Sequence, residues 1–125
     1  MVNNSNPLKE KTLHFAIRMV KLYRYLTENK SETVLSKQLL RCGTSPGAMV
    51  REAHNAESGS DFIHKLSIAQ KEVGETQYWL ELLHQTGFIS DKEFLSLIND
   101  STELMKLIRS SILTKKKNLK AQPHK

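Results

Sequence analysis

Five histidines, one cysteine and thirteen carboxylates supply whatever acid–base, nucleophilic or metal chemistry this chain possesses. Glu81 and His84 stand three apart, the Glu-x-x-His spacing by which a helix offers two ligands to a di-iron centre. Such a centre needs a second copy of the motif and two further inward carboxylates, and no second copy exists. His54 with Glu57, and His64 alone, are partial ligand sets, and lone histidines on helix surfaces are solvated far more often than metal-bound. With Cys42 as its single cysteine the chain has no internal disulfide and no multi-cysteine zinc site. No base is placed beside that thiol by sequence, so it behaves as a small hydrophobe. A Gly-rich phosphate loop, a dinucleotide fingerprint and a Gly-x-Ser-x-Gly elbow are all missing from the sequence. The expectation is a non-enzyme with no catalytic residue, no cofactor and no metal.

Charge offers more than catalysis does. The chain carries 19 Lys and Arg against 13 Asp and Glu, a formal net charge of +6. Five of those bases (Lys115, Lys116, Lys117, Lys120, Lys125) fall in residues 115–125 with no acid among them, so residues 1–114 hold 14 bases against 13 acids. The excess is a tail, expected to be disordered, which either aids solubility or contacts a polyanion. Lys11, His14, Arg18 and Lys21 share one arc of the first segment with Tyr25, a basic stripe with one aromatic that suits a phosphate backbone or is simply a solvated face. Arg41 and Arg51 join Lys11, Arg18, Lys21 and Lys115–Lys117 as candidate nucleic-acid contacts.

These groups must be held by something, and the length of 125 residues supports one core. Polar interruptions at 28–31, 57–60 and 87–90 divide the chain into four segments, each interruption ending in a serine able to cap the next helix. Ser90-Asp91-Lys92-Glu93 has the reciprocal capping pattern, and Gly87 is a stop signal before it. Between the interruptions apolar residues recur on a 4,3 template: Leu8, Phe15, Met19, Leu22, Leu26; Leu35, Leu39, Cys42, Met49, Ala53; Phe62, Leu66, Ala69, Val73, Leu80, Leu83; and Phe94, Ile98, Met105, Ile108, Ile112. Strand alternation is absent. The expected fold is all-α, an antiparallel up-down four-helix bundle over residues 1–114, with helices at about 8–28, 32–57, 61–86 and 91–114.

Two features complicate that bundle. Gly43-Thr44-Ser45-Pro46-Gly47 is the strongest turn signal in the chain, yet the apolar register runs through it, so the second helix is expected to be continuous and kinked at Pro46. Gly43 and Gly47, four apart, leave a strip free of side chains where another helix can come close. The first helix also has more apolar surface than one core consumes, an arc of about 220° against the roughly 100° of a surface helix. Leu13, Ile17, Val20 and Tyr23 on the first helix, with Tyr78, Trp79 and Leu82 on the third, are therefore candidate oligomer contacts, unless they tuck inward in a wide core.

The run from Arg41 to Ala53 (Arg-Cys-Gly-Thr-Ser-Pro-Gly-Ala-Met-Val-Arg-Glu-Ala), followed by Ala56-Glu57-Ser58, Asp61-Phe62-Ile63-His64-Lys65-Leu66 and Glu75-Thr76-Gln77-Tyr78-Trp79-Leu80, resembles the four-helix bundle proteins also called ribosomal RNA intervening-sequence proteins. Two positions depart from that family: Pro46 stands where it usually has Ile or Val, and Met49 where it usually has Asn. The resemblance implies a bacterial, cytoplasmic protein that assembles with itself, a homopentamer above all. It is more distantly similar to the accessory variability protein of diversity-generating retroelements, a pentamer that binds nucleic acid and a reverse transcriptase. The reading is a non-enzymatic homo-oligomeric bundle that binds nucleic acid, structured or ribosomal RNA in particular, through backbone electrostatics. The alternative is an interaction scaffold that docks a partner protein on its apolar or charged surface. The longest apolar runs are three residues, so no membrane span is expected.

Overall fold

The structure, a computed structural model, describes residues 6–121 and contains four helices: α1 (Pro7–Asn29), α2 (Leu35–His54), α3 (Gly59–Gln85) and α4 (Asp91–Ala121). There is no strand among the described residues. Local chemistry sets most boundaries. α1 starts where Asn6 accepts a hydrogen bond from Lys9 N at 3.1 Å and Pro7 occupies the first turn, where its missing N–H costs nothing. α3 ends in a complete Schellman turn: Gly87 adopts φ +83°, Phe88 N donates to Leu83 O at 2.9 Å and Gly87 N to His84 O at 3.1 Å. Ser90 Oγ then accepts from Glu93 N at 3.1 Å and opens α4.

Two of the three serine caps differ from expectation. At the α2–α3 turn the cap is Ser58, not Ser60, its side chain accepting from Asp61 N. Ahead of α2 the cap is not a serine. Ser31 takes φ +52°, which turns the chain so that Glu32 N reaches Leu26 O at 2.9 Å. The Glu32 carboxylate then folds onto the helix start and accepts from Val34 N, Leu35 N and Ser36 N at 3.1, 2.8 and 2.7 Å. α2 consequently spans 35–54 rather than 32–57.

Each helix packs on its neighbours in sequence, and α1 packs on α4. Contacts run in opposite senses along every seam. Gly43 meets Met19 while Gly47 meets Thr12 between α2 and α1. Arg41 reaches Glu75 while Glu52 reaches Lys65 between α2 and α3. Gln77 donates to Ser101 while Lys115 lies over Phe62 between α3 and α4. α1 and α4 touch least, and ion pairs span their seam: Lys11 Nζ to Glu103 at 2.9 Å, and Arg18 to Asp100 at 2.6 Å with Glu93 at 3.8 Å.

The core takes Leu8, Thr12, Phe15, Met19, Leu22 and Leu26 from α1 and Leu66, Ala69, Val73, Thr76, Leu80 and Leu83 from α3. Pro46 is buried inside a helix that runs unbroken from Leu35 to His54. Its ring removes the hydrogen bond that Cys42 O would have accepted, but Thr44 Oγ1 bonds back to Leu40 O at 2.8 Å and the helix carries on.

α4 is longer than the sequence suggests. It continues helically through Lys115, Lys116, Lys117 and Lys120 to Ala121, so residues 115–121 belong to α4. Leu119 fastens that extension, because its methyl groups fill the space beside Gly59 where a Cβ would sit. The Lys115 ammonium adds to it, standing 5.2 Å from the Phe62 ring centre. The remainder of the expected tail, residues 122–125, lies outside the described residues.

Candidate nucleic-acid interface

The antiparallel arrangement decides which bases meet. The start of α1, the end of α2, the start of α3 and the end of α4 all lie at one end of the bundle, and their basic residues come together there. Lys9 and Arg51 line one concavity with Asn6, Asn55 and His54. His54 also lines the next, with Ser58, Gly59, Phe62 and Lys115. Phe62 and Lys115 in turn border a third with Thr114 and Asn118. A connected series of hollows therefore runs round the end, with Lys9, Arg51 and Lys115 on its walls. Lys116, Lys117 and Lys120 are exposed on the same last turns of α4.

His54 holds the surface together. Its Nδ1 lies 3.0 Å from Val50 O and must donate there, which leaves Nε2 to accept from Asn6 Nδ2. Asn6 uses its other atom, Oδ1, to cap α1. The amide thus ties the first turn of α1 to the last turn of α2.

The remaining candidate contacts behave differently. Lys11, on the exposed surface, and Arg18, half-buried, each pair with a carboxylate of α4, so two of the four basic groups on the first-helix stripe are answered from within the chain. Arg41 is engaged by Glu75 and Glu72, and its hydrogen bond to Glu75 raises its affinity for its proton still further. Lys21 is exposed near the opposite end. Arg51, Lys9 and the α4 lysines make no ion pair among the described residues, while Lys65 is held by Glu52 at 3.3 Å. The meeting of Lys9 with Arg51 is not legible in sequence spacing, because it depends on which helix ends coincide.

The chemistry-bearing residues take structural roles. His84 Nε2 contacts Asp91 Oδ1 at 2.6 Å and its ring stacks on Phe94, linking α3 to α4 across the Schellman turn. Cys42 is fully buried, and burial pushes its thiol up to about 11, so it is a thiol and not a thiolate near neutral pH. No cluster of three or more His, Cys, Asp or Glu able to hold a metal is found among the described residues. No described helix is long and apolar enough to cross a membrane.

Comparison with known proteins decides the family. The family model of the 23S rRNA-intervening sequence protein matches residues 5–110. The chain belongs to that family. A solved structure of a protein of unknown function from the S23 ribosomal protein family of Bacteroides thetaiotaomicron is 53% identical, with a TM-score of 0.85, over 86% of this chain and 96% of that one. No curated protein matches. The family match ends at residue 110, so Lys115, Lys116, Lys117 and Lys120, on the last turns of α4, lie beyond it.

The oligomer candidates fall into two groups. Leu13, Ile17 and Tyr78 are 48%, 45% and 57% exposed, large apolar groups left facing outward. Val20, Tyr23, Trp79 and Leu82 are half-buried. Trp79 packs against the core and meets Tyr78 edge-on at 5.1 Å between ring centres, yet its buried Nε1 has no hydrogen-bond partner among the described residues.

Proposed function

We propose that this member of the intervening-sequence family is a non-enzymatic, self-associating bundle that binds RNA through its phosphate backbone, with the basic end as the contact surface. One observation carries the reading: Lys9, Arg51 and Lys115 converge around one end with no carboxylate paired to them among the described residues, while Lys11, Arg18 and Arg41 each already have a carboxylate partner in the same chain. Cations without a carboxylate partner release counterions on meeting phosphate, whereas a cation already paired must first give up its carboxylate. RNA is the polyanion favoured by the family's description, which names 23S ribosomal RNA. Self-association, a pentamer above all, would cover Leu13, Ile17 and Tyr78 and place several basic ends on one particle.

Filter binding of a ribosomal RNA spacer transcript over a range of salt tests the reading. Binding should weaken linearly on logarithmic axes, and the double variant Lys116→Ala, Lys117→Ala should lower the slope by roughly 1.5 and affinity at low salt by about tenfold. Lys11→Ala should leave the slope unchanged. A slope near zero for the native chain overturns the proposal. Light scattering should return a mass several times the 14.3 kDa of one chain, and a stable monomer would remove the self-associating part. Partner proteins that survive nuclease in a pull-down would favour the scaffold reading in its place.

A further inference from the structure

Away from the basic end, the Schellman turn that closes α3 lifts Phe88 and Ile89 towards α1 and leaves a cleft of about 400 Å³ beside them. Its floor and walls are apolar: Leu22 and Ile89, both nearly buried, with Phe88 and the ring of Tyr25. Its rim is polar and mainly positive. Lys21 stands on it with no ion pair among the described residues. Arg18 directs Nη1 to Asp100 at 2.6 Å, but Nη2 is only loosely held, 3.8 Å from Glu93. Glu93 is the carboxylate on the rim, and Ser90 completes it at the start of α4.

We infer that this cleft binds a small organic anion with a flat apolar body, such as an aromatic sulfonate or carboxylate. The volume lies at the lower end of the range for small-molecule sites, which combine apolar walls with a few convergent polar groups. The apolar body is held among Leu22, Ile89, Phe88 and Tyr25. The anionic group sits at the rim between the Lys21 ammonium and Arg18 Nη2, taking the place of the long contact to Glu93. A neutral ring would gain the same apolar burial but would leave Lys21 without its partner. The site shares no residue with the basic end, so it stands or falls separately from RNA binding.

The test is an amide NMR titration of the full chain with naphthalenesulfonate, beside neutral naphthol. Binding should saturate at one site per chain, with the largest shifts at Leu22, Tyr25, Phe88, Ile89 and Ser90, and naphthol should bind more weakly by about tenfold. Lys21→Glu, a change at an exposed position, should weaken the sulfonate by about tenfold or more and leave naphthol unchanged. Tyr25→Ala, also exposed, should weaken both probes, and Lys37→Glu on α2 should weaken neither. Shifts centred on Leu13, Ile17 and Tyr78, equal binding of the two probes, or indifference to Lys21→Glu would each overturn the inference. So would the absence of shifts at Phe88 and Ile89 because a second copy of the chain covers the cleft.

Discussion

Gly43→Val is expected to destabilise the bundle by about 3 kcal/mol and Gly43→Ala by about 1–2 kcal/mol, while Gly47→Ala, four residues on, is expected to stabilise it by about 0.5–1 kcal/mol. Both glycines lie in the interior of α2, where alanine gains up to about 1 kcal/mol in helix propensity over glycine. The opposite signs come from α1. A Cβ on Gly43 would overlap Met19 Cγ and lie 2.7 Å from its Sδ, and Met19 is wholly buried, so the side chain would have to shift against a close-packed core. A Cβ on Gly47 would lie 3.5 Å from Thr12 O, an ordinary contact that leaves the propensity gain intact. Overpacking of this kind costs about 1–3 kcal/mol, which exceeds the propensity term at Gly43 and does not arise at Gly47. Urea midpoints of the single variants decide the matter. A further check is Met19→Ala, whose own cost should shrink by about 1 kcal/mol or more in the Gly43→Ala background, because the two changes relieve one another. If Gly43→Ala proves as stabilising as Gly47→Ala, α1 does not rest on that glycine.

That close approach is visible in the spacing of the glycines, and so is much of the core. The α1 stripe read from the sequence is the stripe that is buried, and on α3 every position from Leu66 to Leu83 on the template is buried. On α2 the register survives Pro46, but near both ends burial moves one position towards the C-terminus, to Ser36 and Val50 in place of Leu35 and Met49. α4 steps by one position the other way, burying Leu97 and Leu104 where the template marks Ile98 and Met105. A helix that packs heavily on α3 and lightly on α1 turns its stripe towards the heavier contact, and periodicity within one helix carries no information about its neighbours. The candidate site is less legible for the same reason. Spacing puts Lys11 and Arg18 on one arc of α1, but only the register between α1 and α4 brings Glu103 and Asp100 opposite them. The basic end depends on where α4 stops, and its last turns are held by Leu119 on Gly59 and Lys115 on Phe62, contacts between residues more than fifty apart in the chain.

Glu32→Ala is expected to cost about 2–3 kcal/mol, more than a typical capping residue, because one carboxylate serves three backbone donors. Ser36 is fully buried, so its N–H, once it loses the carboxylate, gains little from water. Burial by itself would raise the Glu32 pKa, but the hydrogen bonds from Leu35, Ser36 and Val34 outweigh it and hold the carboxyl below its ordinary value of 4.5. A depressed folded-state value means that the stabilisation is present in full above the unfolded value and is lost as acid protonates the folded protein. The loss therefore begins as pH falls through 4.5 and is complete only below the lower folded-state value. Glu32→Gln keeps one acceptor but loses the charge, and should cost about 1–2 kcal/mol at neutral pH. Urea titrations of the native chain and Glu32→Gln should therefore diverge above pH 4.5 and draw together as the pH falls below it. Curves separated by a constant amount throughout would mean that the carboxylate is not what starts α2. The left-handed Ser31 that aims Glu32 at the helix should then respond independently, because Ser31→Gly removes only a backbone constraint and leaves the carboxylate in place.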